Sequence, residues 1–127
     1  MLQRPSAAGL FLCEQVILEE KTRNITLVNS FTRFRGSNFP TPPQRFVVYA
    51  VLTDGLGDAR MSLVVQRLDM VEEVHDLHWQ MKFRDPLRQI RVVLRLTDLS
   101  FPVPVRYQFS LLADEEAIAQ SVLEVIS

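Results

Sequence analysis

The sequence is poor in the residues on which most catalytic and metal-binding motifs depend. It contains one cysteine, two histidines and four glycines in 127 residues. With Cys13 alone, no internal disulfide can form and paired-cysteine zinc or redox motifs are excluded. His75 and His78 stand three apart in a segment read below as a strand. Side chains at that spacing point to opposite faces, so the pair cannot share a metal ion. Gly55-Leu56-Gly57 is the only close glycine pair, too short to cradle a phosphate, and reads as a turn. No Gly-x-Ser-x-Gly nucleophile turn occurs. Lysine is scarce as well: Lys21 and Lys82 stand among fourteen basic residues. The formal net charge of −1 argues against a protein held to nucleic acid or a membrane surface by bulk electrostatics. The longest apolar run, Phe46 to Leu52, falls far short of the ~20 residues of a membrane span. Residues Met1 to Gly9 lack the apolar centre of a signal peptide, and the expected location is cytoplasmic, which suits a lone thiol.

What is present is strict alternation. Leu77, Trp79, Met81 and Phe83 alternate with Asp76, His78, Gln80 and Lys82. Ile90, Val92, Leu94 and Leu96 then alternate with Gln89, Arg91, Arg95 and Thr97, and only Val93 breaks the polar side. A period of two sends successive side chains to opposite faces, so both segments read as half-buried strands. Further strands are expected over Leu10 to Leu18, Ile25 to Phe34, Phe46 to Leu52, Met61 to Leu68, Tyr107 to Ala113 and a last segment ending near Ile126. Phe46 to Leu52 is apolar on both faces and should be the most buried. The final segment also has Ile118, Val122 and Ile126 at helical spacing with Asp114 as a potential N-cap, and it is read here as a strand. Turn chemistry separates these runs: Glu19 to Asn24, the loop Gly36 to Pro43, Asp54 to Asp58, Asp69 to Glu73, Asp85-Pro86, and Thr97 to Pro104.

A hydrophobic content of 47% with 23% charged residues is ordinary globular composition. The expected architecture is one all-β domain, an antiparallel immunoglobulin-like β-sandwich of seven or eight strands over residues 9–127, preceded by a flexible arm over 1–8. Its core is expected to draw on Phe46, Val48, Leu52, Leu77, Trp79, Phe83, Val92, Leu94, Tyr107, Phe109 and Leu111.

Several stretches carry a family resemblance. They are Leu12-Cys13-Glu14, Glu20-Lys21-Thr22, the strand Thr26 to Thr32, the loop Phe39-Pro40, and Phe101-Pro102-x-Pro104-x-Arg106-Tyr107-x-Phe109 with a closing Leu123-x-Val125. Together they resemble a family of small, uncharacterised bacterial β-sandwich proteins, a domain of unknown function with immunoglobulin-like or C2-like character. The resemblance covers nearly the whole chain and implies a fold without implying an activity. The chain departs from that pattern at Glu14, Arg23, Asn29, Val105 and the Asp114-Glu115-Glu116 turn. At most of these the family tends to have glycine, the residue that tolerates left-handed backbone.

Several residues with chemical potential also fit structural roles. Tyr107, just after the proline-rich connection, fits a tyrosine corner, its ring inward and its hydroxyl on nearby backbone. Cys13 lies in a strand apolar on both faces and reads as buried packing; Trp79 reads as core. If the strands alternate up and down, the loops bearing Glu19 and Glu20, Asp54 and Asp58, Asp85, and Asp114 and Glu115 converge at one end. Convergent carboxylates are how oxygen-ligand cation sites are built, with Asp54, Asp58, Asp85, Asp114 and Glu115 the candidates. If the two alternating strands pair, Lys82, Arg84, Arg91 and Arg95 with Arg88 form a basic stripe able to meet an anionic partner. No catalytic residue, cofactor or nucleophile with its base is expected. The function read from the sequence is a non-catalytic module that meets another protein, or its own copy, through a sheet edge. The alternative is a cation- or small-ligand-binding sandwich using the acidic loops.

Overall fold

In the computed structural model, which describes residues 2–127, the chain is all-β. Among the described residues there is no helix, and ten strands form two sheets. The strands are β1 (Ser6–Ala7), β2 (Phe11–Leu18), β3 (Ile25–Ser30), β4 (Arg33–Arg35), β5 (Gln44–Thr53), β6 (Gly57–Arg67), β7 (Glu72–Phe83), β8 (Ile90–Leu99), β9 (Arg106–Ala113) and β10 (Glu116–Ile126).

The first sheet is built around β5, the doubly apolar run, whose residues Phe46 to Ala50 are all buried. One side of β5 pairs with β8 along most of its length. The other side takes β1 at Leu52 and Thr53 and β2 at Val47 to Tyr49. Strand β3 lies outside β2. The second sheet runs β4-β10-β9-β6-β7. All its pairs are antiparallel except β4 with β10, which is parallel, a departure from the fully antiparallel expectation.

The alternating pattern aims Phe46, Val48, Ala50 and Leu52 of the first sheet at Leu63, Val65, Phe109 and Leu111 of the second, forming one shared core. Phe46 and Phe109, from opposite sheets, have ring centroids 5.9 Å apart. Buried side chains of this size each contribute roughly 1.5–3 kcal/mol. Leu77, Trp79 and Leu94, expected in the core, are only half-buried, because β7 and β8 are sheet edges with one flank uncovered.

Two features raise the strand number above seven or eight. The run Ile25 to Phe34 divides into β3 and β4, which belong to different sheets. Asn29 takes a left-handed φ of 49° and bends the chain. Beyond it the Phe31 N–H still donates to Leu12 C=O in the first sheet, while Thr32 C=O accepts from Glu124 N–H in the second. The other addition is β1. Where the sequence reads as a flexible arm, residues 2–8 are held by backbone bonds. Leu2 and Gln3 N–H donate to Leu56 C=O, and Ala8 N–H donates to Val51 C=O. Arg4 also pairs with Glu116 at 2.8 Å. The final segment is strand, as read, and it carries a bulge between Ala117 and Ala119.

The proline-rich loop before β5 is fastened to the β8–β9 connection by Thr41, a buried polar side chain. Its Oγ1 accepts the Phe101 N–H at 2.9 Å, and its N–H donates to Phe101 C=O at 2.9 Å. Ser100 Oγ donates to Thr41 C=O at 2.6 Å. These bonds satisfy backbone groups that burial would otherwise strand.

Candidate functional site

The structural roles expected of Tyr107 and Cys13 are visible in their contacts. Tyr107 is fully buried; its hydroxyl donates to Val103 C=O at 2.6 Å and accepts Val103 N–H at 3.2 Å. Its ring lies 4.9 Å from that of Phe101. Burial pushes the phenol above its ordinary pKa. Cys13 is likewise fully buried, on the outward face of β2 opposite Val47, whose carbonyl lies 3.7 Å from Sγ. Burial raises the thiol pKa, so the reactive thiolate is disfavoured. Trp79 is half-buried on β7, its register partner being the buried Met61.

The five carboxylates proposed for a cation do not gather: among the described residues no group of three or more potential ligands is close enough to hold an ion. The loop bearing Glu19 and Glu20 lies at the opposite end of the first sheet from Asp54, because β2 runs antiparallel to β5 and leaves it near Val47. The acids of the remaining three loops are divided by local bonding. An Asp85 oxygen accepts the Leu87 N–H at 3.0 Å, shaping its own turn. Asp54 lies near that turn through its backbone, its N–H donating to Pro86 C=O. Asp58 stands opposite Lys82 in the β6–β7 register. Asp114 Oδ1 accepts the Arg60 N–H at 2.9 Å, and this bond holds its carboxyl below the usual aspartate pKa. Glu115 occupies the same turn with a left-handed φ of 70°.

The basic stripe does not form either. Strands β7 and β8 belong to different sheets, so Lys82 and Arg84 are not register neighbours of Arg91 and Arg95. The crossover between them instead collects Lys82, Arg84, Arg88 and Arg91 with Asp85 around an open concavity of about 710 Å³. Among the described residues none of these four cations is ion-paired. Arg95 lines a separate groove with Arg45 and Val16. His78 is paired with Asp76 on the exposed face of β7 at 3.0 Å.

The least expected feature is the β2–β3 ribbon. Only Phe11 to Cys13 of β2 pair with β5, so the rest of β2 is held by β3 alone. Cross-strand pairs Val16 with Leu27 and Leu18 with Ile25 line one face of this ribbon. Ile17 and Val28 lie on the other. None of these six side chains packs against the shared core, and Ile17 and Leu18 are 47% and 43% exposed. The outer edge of β3 has no strand partner among the described residues. In the sequence this ribbon looks like an ordinary hairpin. The available signal was that Ile25–Ser30 carries no charged residue while its partner strand is apolar on both faces.

A family model for DUF6941, described as a family of unknown function, matches residues 8–126. The chain belongs to that family. The DUF6941 match takes in β2 to β10 whole and leaves β1 outside, so the family is defined over both sheets and the ribbon. No curated protein matches this DUF6941 chain.

Proposed function

We propose that the protein is a non-catalytic, immunoglobulin-like β-sandwich that works by pairing a sheet edge with a strand of protein. The immunoglobulin-like reading is supported by strand order. Strands β5 to β10 take the sheet places of the B, C, C′, E, F and G strands of a variable-type domain, without counterparts of its C″ and D, and β2 and β4 share the first-strand position between the two sheets. Tyr107 supports the same reading: it opens β9, the F-strand position, and its hydroxyl bonds back to Val103 as a tyrosine corner does.

The binding reading rests on the β2–β3 ribbon. A two-stranded ribbon is marginal by itself in water, and this one holds apolar side chains away from the core beside an unpaired edge. Edge pairing supplies the missing backbone partners and covers those side chains together. The groups that could otherwise perform chemistry are held in structural contacts: Cys13 is buried, Tyr107 is bound to Val103, and Asp114 is bound to Arg60. A cytoplasmic setting fits a lone buried thiol.

Selection of extended peptides from a displayed library on the immobilised chain tests the reading, with backbone amide resonances followed for each retained peptide. Perturbation confined to one of the edges β3, β4, β7 or β8 is the expected result. Peptides held only by loops would overturn it, as would turnover in a substrate screen.

A further inference from the structure

We infer that the edge used is β3 and that its occupant is a second copy of this chain, the two β3 strands running antiparallel about a two-fold axis beside Thr26. This inference rests on the edge-pairing reading above and narrows it to one strand and one partner.

Besides the two-residue β1, four strands present an unpaired edge among the described residues: β3, β4, β7 and β8. Natural sheets protect their edges with charges, prolines and bulges, because bare backbone invites another strand. Strand β8 carries Arg91, Arg95 and Asp98; β7 carries Glu72, Glu73, Asp76 and Lys82, and is irregular opposite Val65 and Gln66. Strand β4 is three residues long with arginine at both ends. Two-fold pairing of β8 about Val93 would oppose Arg91 to Arg95, and of β4 about Phe34 would oppose Arg33 to Arg35. Like charges directly opposite each other disfavour both. Strand β3, reading Ile-Thr-Leu-Val-Asn-Ser, holds no charge and no proline. Its one irregularity, left-handed Asn29, lies outside Ile25 to Val28.

Backbone geometry selects the axis. Glu19 N–H donates to Asn24 C=O, closing the ribbon at that pair. In an antiparallel ladder, bonded and non-bonded pairs alternate, so Thr26 and Val28 turn their backbone groups toward β2, and Ile25 and Leu27 turn theirs outward. An axis beside Thr26 sets Ile25 of each chain opposite Leu27 of the other, where each pair exchanges N–H and C=O. Ile25 and Leu27 also share a face with Val16 and Leu18. The same pairing therefore merges two stranded apolar faces into one. It is an isologous contact that closes at two copies and leaves no bare β3 edge to propagate.

Thr26 is exposed and meets its own counterpart across the axis, which makes it the probe. The purified chain, Thr26→Lys and Thr26→Glu are examined separately by light scattering after size exclusion over a concentration series, with melting curves confirming the fold. The native chain is expected to have twice the chain mass. Each variant alone should dissociate about ten-fold more readily or worse, and mixing the two should restore the dimer by opposing Lys to Glu. A native chain that stays monomeric at its highest soluble concentration overturns the proposal. So does a dimer indifferent to both variants; if Val93→Lys on β8 then breaks it, edge pairing survives and the β3 assignment alone falls.

Discussion

The Tyr107 hydroxyl and the Val103 peptide form a closed two-way contact, donating at 2.6 Å to the carbonyl and accepting at 3.2 Å from the N–H of the same residue. The contact pins the connection between β8 and β9 onto a ring buried against Phe101. Removing the hydroxyl leaves the Val103 N–H without its partner in a part-buried place, while the Val103 C=O keeps only the Val105 N–H at 3.1 Å. Tyr107→Phe is therefore expected to destabilise the fold by about 1–3 kcal/mol, since stranded polar groups cost more than the bond contributes. Urea unfolding of the two proteins measures it, and an unchanged midpoint would show that water replaces the hydroxyl without loss.

The β9–β10 turn offers the opposite outcome. Glu115 holds a φ of 70°, a left-handed conformation that disfavours any residue with a Cβ. Glu115→Gly should raise stability by roughly 1 kcal/mol at most, the relief of strain being partly offset by glycine's greater freedom when unfolded. Thermal melting is the readout. A lower melting temperature would mean that the Glu115 side chain contributes more than its backbone costs.

Acid sensitivity should trace to the neighbouring residue. Asp114 accepts the Arg60 N–H, which lowers its folded-state pKa below the ordinary aspartate value. The folded protein thus binds fewer protons here than the unfolded chain does. This contribution is fully present above the ordinary aspartate range and is lost as pH falls through the depressed folded value. Asp69, lowered by its bond to Arg67, acts in the same direction. Asp114→Asn should flatten the acid limb of a stability–pH curve while leaving its neutral region level. An acid limb of unaltered slope would assign the effect elsewhere.

Cys13 should be silent in the native protein. It has no exposed surface, and burial raises its pKa. A thiol-reactive chromophore should label it no faster than the chain unfolds, and fully in denaturant. Rapid labelling of the native protein would show that β2 separates from β5 without global unfolding.

How much of this was legible beforehand can be followed residue by residue. Tyr107 was legible as a corner because its role is local, set by the proline-rich connection four residues upstream. Cys13 was legible because β2 is apolar on both faces around it. The acidic loops were misjudged because their convergence assumed a simple up-and-down course, whereas β2 leaves β5 at the end opposite Asp54. The basic stripe failed for a related reason: β7 and β8 are adjacent in sequence but cross between sheets. The β3–β4 division was hidden because a single left-handed Asn29 changes the sheet without interrupting the run of strand-forming residues.

By itself, then, the sequence determined where strands form and which side chains face inward, because both follow from the two-residue period of an extended chain. Which strands became neighbours, and which edge was left bare, only the tertiary structure decided. Strands join through backbone N–H and C=O groups that nearly every residue carries alike, so the alternation that marks a face cannot name the strand beside it.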